Sequence, residues 1–376
     1  MLRAFSISSQ AWKNLSIPAG IERESLLGMV CEQCQSLSDS RPRVYLLIAT
    51  AFALAGYAWL LLFPWLVFAS ALGIYHAVFN GEVIAWTLLL TWLVVGVLAA
   101  LVSYRLFHFR PALPAGRELD NLSCPALFKL VADQSRHYCS IRIDRIVLSG
   151  DFDLYIRKTP GFVLPVWSTN TLVIGLPLMQ SLSDTQFQCA LARRLGQFSK
   201  RYNRFENWLY QLREIWPLYC KEAHMQGPGY QPVAWFFCAY ARLYRMITVP
   251  VARHDELDAD TYAMELFSDE QVLDMITTQM VCRQYLAERY WPVVRKLAAS
   301  NARVLDKLHT GMAAVLRAGL TAGAVNEWLA KALAVEDCCA DEIPPLASRI
   351  DNIGFGVARM GALTTNPAAA VYRVRQ

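Results

Sequence analysis

Two long apolar runs near the N-terminus set the strongest limit on what this chain can fold into. Val44–Val78 and Val83–Tyr104 contain no Lys, Arg, Asp or Glu. About 20 consecutive apolar residues span the hydrocarbon core of a membrane as a helix, so each run is long enough to cross it. The sequence therefore predicts a two-helix transmembrane hairpin over residues 44–104, with a bend at Pro64 and a short turn near His76 to Glu82.

The charges that flank the hairpin indicate its orientation. Arginines stand outside both runs: Arg41, Arg43, Arg105 and Arg110. The turn between the runs carries no Lys or Arg. Segments rich in Lys and Arg stay on the cytoplasmic side of a membrane. We therefore expect a multi-pass inner (cytoplasmic) membrane protein whose two termini and main domain are cytoplasmic.

Composition and cysteine usage narrow the expected partners. Hydrophobic residues make up 55% of the chain and charged residues 18%, which exceeds the usual apolar share of soluble domains. The net charge of +5 is too small to indicate nucleic-acid binding.

In a reducing compartment the ten cysteines are expected to be thiols. The pair Cys31 and Cys34 has metal-like spacing but lacks two further ligands. A metal or redox role, pairing between protomers and incidental thiols stay open for it.

Beyond the hairpin the pattern predicts a linker, a helix and a small sheet. Residues 105–121 contain Pro and Gly and indicate a linker, and Cys124–His137 has a helical pattern. Three short segments predict strands: Ile141–Leu148, Phe152–Lys158 and Thr171–Ile174. A later apolar segment, Val233–Val251, predicts a helix that is buried, lies along the membrane surface or inserts more deeply.

Residues 183–205 indicate a helix with two distinct faces. Ser183 followed by Gln186 is the pattern of a capping box and marks the helix start. Apolar residues recur at steps of three and four and predict one buried stripe: Phe187, Leu191, Leu195, Phe198, Tyr202 and Phe205. The opposite face is polar and basic: Arg193, Arg194, Gln197, Lys200, Arg201 and Arg204. Taken alone, this pattern is typical of a surface helix whose basic face is solvated.

On this helix, Leu191–Phe198 has the outline of the metallopeptidase motif H-E-x-x-H. In that motif two histidines one turn apart bind Zn²⁺, and the glutamate beside the first activates the metal-bound water. Arg193, Arg194 and Gln197 take these three positions here. Flanking segments extend the match: PALFKLV from Pro125, RIVLSGDF from Arg145, NTLVIGLPLMQSLS from Asn170, RFENWLYQLREIW from Arg204 and HDELDAD from His254.

With these motifs the chain resembles the membrane-anchored zinc metallopeptidases of family 48, the HtpX and CAAX prenyl protease type. The resemblance implies an α+β fold in which a mainly helical, zincin-like peptidase domain with a small β-sheet covers residues 122–350. An N-terminal cytoplasmic segment over 1–43, the hairpin and the linker precede this domain. A C-terminal tail over 351–376 follows it.

The resemblance also places Glu256 where the family has its third zinc ligand, with Asp260 one helical turn later. Arginine has no lone pair for a metal, and a glutamine amide is a weak substitute for imidazole. Glu256 is therefore the one matched side chain that could coordinate zinc. Family members often carry His-Pro before a late arginine, whereas Ile343-Pro344 precedes Arg349 here. We therefore expect no catalytic residue and no metal or other cofactor in a vestigial cleft formed by Glu256, Asp260 and Arg349.

The acidic segment HDELDAD offers partners for the basic helix face. If the family geometry holds, Arg193 can stand in for zinc as a bidentate partner of Glu256, or it can pair with Asp260. A buried carboxylate without a partner would be strongly destabilising. The open alternative is two exposed helices whose charges are unrelated.

These observations predict a catalytically inactive, membrane-anchored relative of the peptidases that serves as a binding or regulatory subunit. Its expected partners are the lipid bilayer and another membrane protein or an active protease, in a homo- or hetero-oligomer. Two alternatives stay open. One is a residual zinc metalloendopeptidase with a non-standard ligand set that recruits His254. The other is a structural protein that organises a membrane complex.

Overall fold

The computed structural model describes most of the chain from Ile21 onward. The described residues are 21–79, 86–107, 113–114, 116–160, 168–199, 204–225, 231–300, 308–338, 341–354, 360, 363 and 367–372. Within them the fold is mainly helical, with a small mixed sheet. This agrees with the α+β class predicted from the sequence.

The N-terminal part of the described chain consists of α1 (Ile21–Ser40), α2 (Pro42–Phe79) and α3 (Trp86–Phe107). Helices α2 and α3 cover the two apolar runs, and both are long and apolar enough to cross a membrane. Helix α2 continues through Pro64. Helix α2 runs to Phe79, past His76 where the turn was expected to begin, and residues 80–85 lie outside the described part. Large apolar side chains are exposed along both helices: Leu47, Leu54, Trp65, Phe68, Leu88 and Leu90.

Small residues let α2 and α3 pack closely. A Cβ added at Gly73 would lie 2.6 Å from the indole ring of Trp92, and one at Gly96 would lie 3.0 Å from Cβ of Ser70. Small residues of this kind allow membrane helices to approach each other. The two contacts set an antiparallel register in which α3 runs beside the second half of α2 and ends near Leu60.

The first half of α2 belongs to the folded domain. Tyr45, Ala49 and Ala53 are buried, and Tyr45 Oη donates a hydrogen bond of 2.9 Å to the backbone oxygen of Ile247. With 38 residues, α2 is about 57 Å long, roughly twice the thickness of the hydrocarbon core. Helix α2 is therefore longer than one membrane crossing needs, and one face of its first half packs on the domain.

The sheet consists of β1 (Arg117–Glu118), β2 (Arg145–Ser149), β3 (Leu154–Pro160) and β4 (Ser168–Gly175). Its order is β1-β2-β4-β3, with β2 and β4 parallel and the other neighbours antiparallel. The three predicted strands are present with shifted ends. β1 differs from the prediction, because it lies in the expected linker and a two-residue strand has no alternation to detect. The predicted helix is present as α4 (Pro125–His137).

Helices form most of the remaining described chain. They are α5 (Leu176–Ser181), α6 (Asp184–Gln197), α7 (Arg204–Met225), α8 (Gln231–Ile247), α9 (Val249–Ala263), α10 (Asp269–Tyr285), α11 (Trp291–Ser300), α12 (Leu308–Gly319), α13 (Ala322–Leu333), α14 (Leu346–Ile353) and α15 (Ala368–Val371). A π-helical turn, Leu286–Tyr290, joins α10 to α11. The main core lies between the sheet and these helices, and α15 packs on it with Tyr372. A second apolar cluster joins α2 to α7 and α8.

The apolar segment Val233–Val251 is divided between α8 and α9 at Thr248. Phe237 and Tyr244 are buried in the second cluster, whereas Trp235 is exposed. Helix α8 thus has one face buried in the domain, and its relation to a membrane stays a prediction.

Cysteine pairing differs from the expectation. Cys220 and Cys238 form a disulfide between α7 and α8, with their Cα atoms 4.9 Å apart. The expectation of thiols followed from the compartment alone, whereas the packing of α7 against α8 brings these two side chains into bonding distance. Cys31 and Cys34 lie on α1 as thiols.

Candidate functional site

Helix α6 carries the basic positions and packs against α9, which carries the acids. The predicted capping box is present: Gln186 N donates to Ser183 Oγ at 3.2 Å, and Ser183 N donates to Gln186 Oε1 at 2.9 Å. The two helices approach closely at Gly196, where a Cβ would lie 2.6 Å from Cβ of Tyr262. This approach brings the side chains on either side of Gly196 against α9.

The apolar stripe of α6 faces the core, as predicted. Its described members are buried: Phe187, Leu191, Leu195 and Phe198. Its other two members, Tyr202 and the side chain of Phe205, lie outside the described part, as do Lys200, Arg201 and the side chain of Arg204. The polar face is buried too, because α9 covers it. Arg193 is 2%, Arg194 8% and Gln197 5% exposed, so the interpretation as a solvated surface helix is wrong.

Arg193 bridges both acids of α9. Its Nε donates to Asp260 Oδ1 at 2.5 Å, and its Nη2 donates to Glu256 Oε2 and, at 3.2 Å, to the backbone oxygen of Glu256. All three side chains are buried. The predicted pairing of Arg193 with Glu256 or Asp260 is thus present with both acids, and one guanidinium is shared by the two carboxylates. The alternative of exposed helices with unrelated charges is wrong.

Arg349 neutralises Asp260 from another side. Helix α14 places its Nε 2.8 Å from Asp260 Oδ2 and its Nη2 2.6 Å from Asp260 Oδ1. Burial acts to raise the pKa of Asp260, but the charges of Arg349 and Arg193 outweigh it and hold the pKa below its usual value. The pKa of Glu256 is likewise held well below its usual value, against burial, by Arg193 and Arg194. Both acids are therefore ionised at neutral pH.

Arg194 and Gln197 complete the surroundings of Glu256. Arg194 Nη1 donates to Glu256 Oε1 at 2.7 Å and to Gln197 Oε1 at 2.9 Å. Gln197 Nε2 donates to Asp255 Oδ2 at 3.3 Å. Burial and the charge of Glu256 raise the pKa of Asp255 to about 8, with Arg194 acting in the opposite direction. We refer to the buried set below as the arginine–acid cluster: Arg193, Arg194, Gln197, Glu256, Asp260 and Arg349.

The arginine–acid cluster does not fit a zinc ion. Both carboxylate oxygens of Glu256 accept hydrogen bonds from guanidinium groups, so a metal would have to displace two fixed positive charges. His254, the extra ligand in the hydrolase alternative, has a 70% exposed side chain and lies 3.7 Å from Asp258. Two residues apart on a helix, His254 and Glu256 point to different faces. Among the residues that the structure describes, no group of three or more His, Cys, Asp or Glu is placed to hold a metal ion.

A second ion cluster, absent from the sequence predictions, fastens the chain before α14 to α7 and α8. Glu342 Oε1 lies 2.9 Å from Nη2 of Arg213, and the same carboxylate accepts hydrogen bonds from Arg245 Nε at 2.9 Å and Nη2 at 2.7 Å. Burial acts to raise the pKa of Glu342, but Arg213 and Arg245 lower it to about 2. The sequence signal for this cluster is an arginine at a core position, since Arg213 is fully buried beside Leu212.

Strand β3 lies at the edge of the sheet and contacts both α6 and α7. In the described part of the sheet β3 pairs with β4 alone. Lys158 of β3 donates from Nζ to Gln211 Oε1 at 3.0 Å, which fastens the strand to α7. An edge strand has backbone N–H and C=O groups that can pair with an added chain.

Comparison with protein-family models, with curated proteins and with solved structures found no match for this chain. The relation to family-48 peptidases is therefore a proposal that depends on the sequence motifs. The geometry at the contact of α6 with α9 is independent of that relation: three buried guanidinium groups surround two ionised carboxylates.

Proposed function

We propose that this protein is a membrane-anchored, non-hydrolytic binding subunit that captures an extended segment of another membrane protein. The observation that carries the proposal is the state of Glu256, which stands at the third zinc-ligand position of the peptidases that the chain resembles. Its two carboxylate oxygens are held by Arg193 and Arg194. A carboxylate in this state is a weak base and a poor metal ligand.

Binding of an extended segment is supported by the position of β3. A partner strand that pairs with the β3 edge would run beside α6 and α7. Main-chain hydrogen bonds supply affinity in this mode of recognition, and side-chain pockets supply selectivity. The arginine–acid cluster would stabilise the two-helix frame of α6 and α9 behind the bound segment.

The hairpin supports a partner in or near the bilayer. Helix α3 has 22 residues and is about 33 Å long, close to the thickness of the hydrocarbon core. We place residues 60–79 and 86–106 in the membrane. The flanking Arg43 and Arg105 favour cytoplasmic termini and a cytoplasmic main domain in an inner membrane. An active protease in the same membrane is the alternative partner.

A residual metallopeptidase would need a costly rearrangement. Arg193 would have to leave both Glu256 and Asp260, which would strand two buried carboxylates. His254 would have to turn from solvent toward the other face of α9. The geometry therefore favours binding over hydrolysis.

The test uses the full chain in detergent, immobilised and incubated with a pool of random nonapeptides, with and without added Zn²⁺. We expect retention of intact peptides above the level seen with an unrelated membrane protein immobilised in the same way, and no cleavage in either arm. Cleavage that depends on zinc would replace this proposal with the hydrolase alternative. Retention no higher than the control would replace it with the alternative of a structural organiser.

A further inference from the structure

Arg194 uses only part of its hydrogen-bonding capacity. Its Nη1 binds Glu256 and Gln197. Its Nε and Nη2 make no hydrogen bond within the described part of the chain, and both keep some contact with solvent. The residue is nevertheless only 8% exposed, so this unpaired guanidinium edge has little contact with solvent.

The Nε and Nη2 atoms together form the edge of a guanidinium that matches the two oxygens of a carboxylate. Two other arginines of this protein use that edge for this purpose. Arg349 binds Asp260 through Nε and Nη2 at 2.8 and 2.6 Å, and Arg245 binds Glu342 through the same atoms at 2.9 and 2.7 Å. Among the side chains that the structure describes, no carboxylate lies on the same edge of Arg194.

The charges of the arginine–acid cluster are unequal. Three guanidinium groups, Arg193, Arg194 and Arg349, face two carboxylates, Glu256 and Asp260. Asp260 forms ion pairs with Arg349 and Arg193, and Glu256 forms ion pairs with Arg193 and Arg194. One positive charge is therefore left over at Arg194, where the unpaired edge lies. A buried cation without full compensation favours an anion from outside.

Other groups near Arg194 do not fill this edge. Asp153, at the start of β3, is close enough to act on the charge of Arg194, but its carboxylate lies 3.3 Å from Nη2 of Arg283. The carboxyl of Asp255 accepts from Gln197. The phenol of Tyr210 on α7 also feels the charge of Arg194. The edge thus lies in the region between α6, α7 and the beginning of β3.

We propose that the Nε and Nη2 edge of Arg194 binds a carboxylate carried by the captured segment, an inference that rests on the binding function proposed above. The position of Asp153 near Arg194 puts this contact at the end of β3 where the strand begins. A segment paired along β3 would reach Arg194 with one side chain. The preferred partner therefore carries Asp or Glu at one fixed position.

The experiment compares the peptides retained by the wild-type chain with those retained by Arg194→Gln and Arg194→Lys. Each pool of nonapeptides is N-acetylated, and it is prepared once with free and once with amidated C-termini. In the wild type we expect Asp and Glu to be enriched about tenfold at one position in both pools, the gain of one good charge-assisted contact. Arg194→Gln should abolish the enrichment. Arg194→Lys keeps a positive charge beside Glu256 but lacks the paired Nε and Nη2 donors of a guanidinium, so it should weaken the enrichment strongly.

Controls separate this inference from the function on which it rests. Arg142→Gln removes an arginine whose side chain is 92% exposed, and it should leave the enrichment unchanged. Thermal unfolding of each variant shows whether it is folded, and Arg194→Lys alone serves as the test if Arg194→Gln does not fold.

Retention of peptides without a preference for acidic residues, or with the same preference in Arg194→Lys as in the wild type, overturns the carboxylate site but not the binding function. Enrichment in the free-acid pool alone assigns the carboxylate to a C-terminus and overturns the side-chain contact. Retention no higher than that of an unrelated membrane protein overturns both proposals.

Discussion

Arg193 is the residue on which the buried charges depend. It contacts Glu256 and Asp260 together, and all three side chains are buried. A buried ion pair adds little stability over well-packed apolar residues, but removing one partner leaves an uncompensated charge in a medium of low dielectric constant. In a peptidase of the resembled type zinc would supply this positive charge, and here a side chain supplies it.

Replacing Arg193 by Ala should therefore destabilise the domain by roughly 3 to 5 kcal/mol. Double-mutant cycles with Glu256→Gln and Asp260→Asn, measured by unfolding in detergent, should show strong coupling of Arg193 with both acids. The neutral amides leave no buried negative charge, so the loss of the guanidinium costs less stability in these variants. Arg142→Ala, at a mostly exposed site, should change stability by less than about 0.5 kcal/mol. Additive effects in both cycles would mean that the guanidinium does not hold the acids.

Glu342 should make the domain acid-sensitive. Its ordinary pKa of 4.5 is lowered to about 2 in the folded protein. A lowered pKa means that the unfolded state binds the proton first, so the stability from Glu342 is present above about pH 4.5 and is lost as the pH falls toward about 2. Glu342→Gln should cost about 1 to 3 kcal/mol at neutral pH, because Arg213 stays buried without its charge partner. The free energy of unfolding, measured from pH 7 to pH 3, should decline less steeply in this variant than in the wild type. An unchanged slope would contradict the assignment of this pH dependence to Glu342.

At the scale of elements, the site depends on how closely α6 approaches α9. Gly196 lies between Arg194 and Gln197 of the motif, and a methyl group there would meet the Cβ of Tyr262. Because that atom is fixed to the backbone, relief requires the helices to separate. Separation would lengthen the contacts of Arg193 and Arg194 with Glu256.

Gly196→Ala should destabilise the domain by about 1 to 3 kcal/mol through overpacking. Gly311→Ala is the matched control, because it lies within α12 with no atom within 4 Å of the added Cβ, so alanine should be neutral or stabilise by up to about 1 kcal/mol. Thermal unfolding of the two variants beside the wild type measures the difference. Equal effects of the two substitutions would show that α6 and α9 do not meet closely at Gly196.

Local patterns in the sequence predicted the elements well, and long-range contacts explain what they missed. The capping box at Ser183 and the apolar stripe of α6 involve residues within a few turns of each other, so the sequence contains them. The resemblance placed Arg349 and Asp260 in one cleft, but their direct pairing joins residues 89 apart, and no local pattern encodes it. The burial of the basic face of α6 was likewise set by α9. The packing of the first half of α2 on α7 and α8 was also missed, because an apolar composition is equally typical of a membrane span.

At the scale of the whole molecule, one continuous helix connects the hairpin to the domain. The first half of α2 packs on α7 and α8, and its second half pairs with α3. A helix shared in this way transmits the orientation of the hairpin to the domain without a flexible joint. Under the proposed function, this helix holds the domain against the membrane surface, where a captured segment would emerge from the bilayer.

This arrangement predicts that the tip of the hairpin and the domain lie on opposite sides of the membrane. The exposed cysteines Cys139 and Cys338 are first replaced by Ser together with Cys339. A cysteine introduced at Phe79, which is 71% exposed at the end of α2, should react with a membrane-impermeant maleimide applied outside intact cells. One introduced at Ser123 should react only after lysis. The reverse pattern would invert the proposed orientation.

The central claim is that guanidinium groups occupy the place that zinc has in the resembled peptidases. The most direct measurement is the zinc content of the purified full-length chain, determined by mass spectrometry of the metal after dialysis against added Zn²⁺. We expect no stoichiometric zinc, because both oxygens of Glu256 are held by arginines. One tightly bound zinc per chain that is lost in Glu256→Ala and kept in Cys31→Ser would contradict the account.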